Sequence, residues 1–315
     1  MSVSVSPALS WPALRTGDLV RLVSPASFPD AEVDTVALTR GVLESWGLRT
    51  EVAPHALDRW GYMAGRDADR LRDLDDAFRD PEVRAVVTTR GGAGAYRICD
   101  ELDFDAVRAD PKPLVGLSDI TYLQLALWRE CRLPSVHGCL VGDEAAATAR
   151  ALLGGGPPVV VASDPTAYSA KVRTGGVATG PLVGGNLASI SHLVGAGLPD
   201  LRGTILLLED KRDMGLGRID RQLTQLRRAG ALDGLAGVAL GLFTGFDDYV
   251  DRGWALVDVL DDHLAPLRIP VLGGLKIGHN GVGANGTPDQ SCVAIGANAV
   301  LDADAGTLRS VSPAV

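Results

Sequence analysis

Asp18-Leu19-Val20-Arg21-Leu22-Val23, closing on Ser24-Pro25-Ala26-Ser27, has the form of a buried strand that opens into a loop. Val36, Thr39, Leu43 and Trp46 then recur at steps of three and four within Ala31 to Trp46, which predicts a helix stopped by Gly47. Leu48 to Val52 reads as the next strand. Asp67 is placed to cap a helix with Leu71, Leu74 and Phe78 on one stripe, and Val83 to Thr88 (VRAVVT) returns as strand. Leu114-Val115 with the helical stretch Ile120 to Trp128 repeats the unit. Strands alternating with helices predict an α/β fold, with a parallel sheet wrapped by helices in the first half.

Glycine and proline cluster at Gly154-Gly155-Gly156-Pro157-Pro158 and again at Gly175-Gly176. This pattern marks residues 151–180 as a connecting segment between an N-terminal domain, 1–150, and a C-terminal domain, 181–315. In the second half the apolar runs Thr204 to Leu208, Gly237 to Phe243 and Cys292 to Ile295 read as strands. Two helices separate them, one through Ile219, Leu223 and Leu226 and one from about Trp254 to Leu264.

The 315 residues are 46% hydrophobic and 22% charged, which excludes a disordered or fibrous chain. A formal net charge of -9 argues against nucleic acid as partner, because phosphate binding needs a basic surface. The longest apolar run falls far short of the roughly 20 residues of a membrane span. Met1 to Pro7 carries neither a basic nor a continuous apolar region of an export signal. Cys99, Cys131, Cys139 and Cys292 lack CxxC spacing, and a chain of this length folds without staples, so a reduced, cytoplasmic location is expected.

Four features carry chemistry. Gly116-Leu117-Ser118-Asp119-Ile120-Thr121 lies between an apolar strand and a helix, where a serine can act as a nucleophile over the N–H groups of the helix start. The same position suits a simple helix cap. Arg90-Gly91-Gly92-Ala93-Gly94 follows a strand and lets backbone N–H groups approach a ligand, but it lacks the Walker lysine and the third glycine of a dinucleotide loop. Glu209 closes the run Leu206-Leu207-Leu208 at the carboxyl end of a strand, where α/β sheets place their sites. Of five histidines, His279 stands in a glycine-flanked loop where an imidazole can serve as base. No HExxH or close His/Cys pairing points to a metal.

Taken together, these segments resemble the LD-carboxypeptidase family of serine peptidases, which includes the muramoyl-tetrapeptide carboxypeptidases and the microcin C immunity peptidases. The resemblance spans nearly the whole chain. It rests on Gly17-Asp18 with Ser24-Pro25-Ala26-Ser27, Ala64-Gly65-Arg66-Asp67, the glycine loop, and the run from Pro111 to Thr121. His137-Gly138, Gly184-Gly185-Asn186-Leu187, Leu208-Glu209-Asp210, Ile219-Asp220-Arg221 and Gly278-His279 follow in the family's order.

The resemblance implies a doubly wound, Rossmann-like N-terminal domain and a mixed C-terminal α/β domain with a barrel-like sheet. It further implies Ser118 as nucleophile, His279 as base and Glu209 as the carboxylate behind it. Backbone N–H groups of Gly92 and Asp119 would form the oxyanion hole, with Asn186 and Arg90 against the substrate. No cofactor is implied, the partner is a small murein peptide, and a homodimer is expected.

Where relatives carry aromatic residues, this chain has Ala93, Leu117 and Gly217, changes that bear on the pocket walls. The expected activity is release of a terminal D-amino acid from a murein tetrapeptide. Two alternatives are cleavage of a peptide-nucleotide antibiotic of the microcin type and a catalytically silent two-lobe binding protein.

Overall fold

A computed structural model describes residues 8–29, 34–279 and 290–315. Met1 to Pro7 and Ala31, which enter the sequence reading, lie outside the described residues. Two sheets organise the chain. The first has the order Arg49–Val52, Leu19–Val23, Val83–Thr88, Leu114–Gly116, Ser135–His137, all parallel, and is completed by the antiparallel Val293–Ile295. Numbered along the chain, the parallel strands run 2-1-3-4-5. The winding direction therefore reverses between Leu19–Val23 and Val83–Thr88, and a crevice opens there beyond the carboxyl ends of the strands. The loops leaving those two strands are Ser24-Pro25-Ala26-Ser27 and the glycine loop.

The second sheet has eight strands and curls into a half-barrel. Its parallel centre is Val177–Asn186, Ile205–Lys211, Gly237–Thr244 and Val271–Leu272, and antiparallel strands flank it. Ile205 to Leu208 are all fully buried, so this strand lacks the alternation of a half-exposed sheet. Within 151–180, Val159–Ala162 and Arg173–Thr174 join the edges of this sheet. The glycine and proline clusters around them obscure these strands because the runs between are only four and two residues long.

The helix Thr121–Cys131 buries every residue from Thr121 to Trp128, since it is covered from several sides rather than along one stripe. It packs against both Val177–Asn186 and Ser135–His137, so it links the two sheets. Asp67 departs from its expected role. It is the first residue of the helix Asp67–Arg79, and the cap Arg66 makes no side-chain cap bond. The Asp67 carboxylate is taken instead by Arg97 and by the fully buried Arg70. Among the described residues no helix is long and apolar enough to cross a membrane.

Candidate active site

Ser118 sits at the end of Leu114–Gly116 in a left-handed conformation, φ 67°, on the turn that leads into the helix Thr121–Cys131. A non-glycine residue held there stores backbone strain of order 1–3 kcal/mol, which marks a turn set by its surroundings and not by local preference. Its hydroxyl caps no helix and points at His279. The distance from Ser118 Oγ to His279 Nε2 is 2.9 Å. On the other side of the ring, His279 Nδ1–H donates to Glu209 Oε2 at 2.7 Å, which fixes the tautomer and leaves Nε2 as acceptor. The backbone N–H of His279 donates to the same oxygen at 3.0 Å.

Each partner is held by its element. Glu209 lies near the carboxyl end of Ile205–Lys211 and is fully buried. Its close approach to the His279 backbone depends on Gly278, φ +103°, where a Cβ would stand 2.4 Å from Glu209 Oε2. We expect Gly278→Ala to lower kcat/KM by about 100-fold through displacement of the carboxylate, while the protein still melts cooperatively. Rate and melting curve measured on the same preparation check this.

The glycine loop presses against the serine turn, because a Cβ on Gly91 would lie 2.7 Å from Ser118 Cβ. Ser27 supports the loop from below, its N–H donating to Gly91 O and its hydroxyl accepting from Ala93 N–H. Asp119 ties the turn to the loop, its carboxylate accepting from Ala95 N–H at 2.7 Å. Burial pushes the Asp119 carboxyl up to about 6, against the pull of those backbone bonds.

Electrostatically, burial opposes a charge on Glu209, yet His279, by charge and hydrogen bonds, holds its carboxyl below the ordinary value. Burial likewise opposes an imidazolium at His279, but Glu209 outweighs it and raises the ring above its usual 6.5.

Ser118 and His279 border a cleft of about 310 Å³, and Glu209 lies buried behind the imidazole. Gly92, Asp119 and Asn186 line it as well. Asn186 also caps the helix Leu187–His192 through Ser189 N–H and donates to the buried Asp210. Arg90 is exposed and is not among the lining residues, so adjacency in sequence does not bring it to the cleft. Its place is taken by residues that sequence reading passed over. Lys211 follows two positions after Glu209 on the same strand, and Arg218 is held by Asp210 and Asp213. Tyr96 and Tyr122, in edge-to-face contact at 5.6 Å, form an aromatic wall, and the Tyr122 hydroxyl meets His192 Nδ1 at 2.8 Å. Alternation along the strand could have pointed to Lys211. Tyr122 looks like one more core residue of its helix.

A hydroxyl, an imidazole and a buried carboxylate in contact at the carboxyl edge of a parallel sheet form the arrangement used by hydrolases of the serine type. The comparisons narrow the class. The chain belongs to the LD-carboxypeptidase family: its N-terminal domain matches residues 20–138 and its C-terminal domain residues 179–300. A Bacillus subtilis protein named "Probable murein peptide carboxypeptidase" is 35% identical, covering 85% of each chain. The crystal structure of muramoyltetrapeptide carboxypeptidase from Oxalobacter formigenes superposes with a TM-score of 0.77 at 25% identity, over 92% of this chain and 97% of that one. An MccF-like protein from Bacillus anthracis gives 0.84 at 22% identity, over 97% and 100%, which is a likeness of fold.

Proposed function

We propose that the protein is a serine-type L,D-carboxypeptidase that removes the terminal D-alanine of murein tetrapeptide. The observation that carries this reading is the unbroken contact from Ser118, at the cleft, through His279 to the buried Glu209. Ser118 Oγ attacks the carbonyl carbon of the bond before the D-residue as its proton passes to His279 Nε2. Glu209 stabilises the imidazolium so formed. The oxyanion is met by the N–H groups of Gly92 and Asp119, neither of which has a protein acceptor among the described residues. His279 then protonates the leaving amine, and a water that gives its proton back to His279 hydrolyses the acyl-enzyme, restoring Ser118.

A carboxypeptidase also needs a cation for the terminal carboxylate. Arg218 is already engaged by two aspartates, whereas Lys211 forms no ion pair among the described residues. The carboxylate is therefore assigned to Lys211. The four cysteines are free thiols, three of them buried, which supports a reducing, cytoplasmic setting for a peptide recycled from the wall.

The test is a panel of three substrates: murein tetrapeptide ending in D-alanine, its L-alanine epimer, and a microcin-type peptide-nucleotide. Release from the first alone, unaffected by a chelator, is expected. The Tyr96–Tyr122 wall favours the nucleotide substrate as the second reading, and cleavage of that compound alone would select it.

The base must be neutral to accept the serine proton. Because the His279 pKa is raised, activity is lost as pH falls through a value above 6.5, and the acid limb of kcat/KM has its midpoint there. A pH–rate profile with a midpoint below 6.5 would contradict the assignment of His279.

A further inference from the structure

Behind Glu209 lies a second imidazole that the mechanism does not use. His137, at the end of Ser135–His137, is fully buried, and its Nε2 faces the free oxygen of the carboxylate, Glu209 Oε1, at 3.7 Å. That separation is too long for a hydrogen bond, and among the described residues neither atom has a hydrogen-bond partner. Two buried polar atoms without partners, side by side at the heart of a site, need a physical reason.

The reason lies one residue further back. Gln124, buried in the helix Thr121–Cys131, sends its side-chain nitrogen to two carbonyls, Gly116 O at 2.9 Å and Val136 O at 3.0 Å. Carbonyls only accept, so the amide nitrogen must lie on that side and Oε1 on the other. Gln124 Oε1 meets His137 Nδ1 at 3.0 Å, so Nδ1 carries the ring proton. A neutral His137 then presents a lone pair, not a donor, to Glu209.

We propose that His137 is a positioning residue for the reaction: locked by Gln124 as the Nδ1–H tautomer, it withholds a hydrogen bond from Glu209 Oε1, so the carboxylate directs its charge onto His279. This rests on the triad reading given above. Satisfying Oε1 with a donor would spread and stabilise the negative charge, weaken its hold on the imidazolium, and lower the basicity of His279. Glu209 and, beyond it, His279 are the titratable groups that act on His137. From the helix the neutral Gln124 meets its ring, Val177–Asn186 passes with Gly185, and Val293 is the neighbour on the adjoining strand. Burial favours the neutral ring, carrying His137 down to about 4.

Gln124→Leu tests the lock. It removes the acceptor at Nδ1 and frees the ring to move its proton to Nε2 and donate to Glu209. The expected results are a shift of the acid limb of kcat/KM to lower pH by about 0.5–1 unit and a fall in kcat at the plateau.

A purely structural role would lower the melting temperature without moving the limb. In the histidine-labelled wild type, nitrogen NMR should find His137 neutral, with Nδ1 protonated and Nε2 bare. A proton on Nε2 in the wild type, or an acid limb that stays in place in Gln124→Leu, would overturn the proposal. The ring spectrum needs no substrate, so it separates this idea from a failure of the activity assignment. A wrong substrate would leave the His137 tautomer as stated and remove only the rate.

Discussion

Ser118→Ala is expected to lower D-alanine release by a factor of about 10⁴ or more, with the fold intact. The variant loses the attacking oxygen, and with it the acyl-enzyme that divides a difficult hydrolysis into two easier steps. What remains is the capacity of the cleft to bind the peptide and polarise its carbonyl. KM should therefore change far less than kcat. Among the described residues the removed hydroxyl hydrogen-bonds only to His279, which lines the cleft, so no fully buried partner is orphaned. Relief of the left-handed backbone is not expected either, because alanine is as strained at φ 67° as serine. A melting temperature close to wild type with retained substrate binding is the control. An active Ser118→Ala would remove the nucleophile from the account.

Glu209→Gln is expected to cost about 10³–10⁴ in kcat, the second largest effect. The side chain keeps its size, but the charge that raises His279 and stabilises its imidazolium is gone. In addition, an amide that turns its nitrogen toward His279 Nδ1 would favour the wrong tautomer and point a ring proton at Ser118. The residual activity should show an acid limb displaced below that of wild type, because the main cause of the raised His279 pKa has been removed. A variant that keeps more than a tenth of the wild-type rate would reduce Glu209 to a structural role.

Much of the fold could be read along the chain, and the reason is visible in particular elements. Val83–Thr88 falls where its apolar run ends, and the helix Leu216–Arg228 buries the stripe of Ile219, Leu223 and Leu226. In both, local pattern and tertiary burial agree. Val293–Ile295 was legible as a strand but not in its destination. It pairs with Ser135–His137 in the first sheet, a contact between segments more than 150 residues apart that no local period encodes. The helix Thr121–Cys131 was legible as a helix, but its burial on several sides was not, and so Tyr122 was indistinguishable from core.

At the site, Ser118, Glu209 and His279 could each be found from a turn, a strand end and a glycine-flanked loop. Their convergence could not, since Ser118 and His279 are 161 positions apart. Sequence reading bound them together only through resemblance to a family. Arg90, expected against the substrate from its place in the glycine loop, is exposed and is not among the described residues that line the cleft, because adjacency in sequence does not fix the direction of a side chain. Lys211 was available from the alternation Glu209, Asp210, Lys211, which returns every second side chain to the same face of a strand.

The central claim is that Ser118 carries the acyl group, and rapid quenching during turnover of murein tetrapeptide tests it most directly. Peptide mapping of the quenched protein should find the tripeptide acyl group on the fragment that contains Ser118, with D-alanine released in equal amount before the first turnover is complete. D-alanine release without any acylated fragment, or acylation at another residue, would contradict the account.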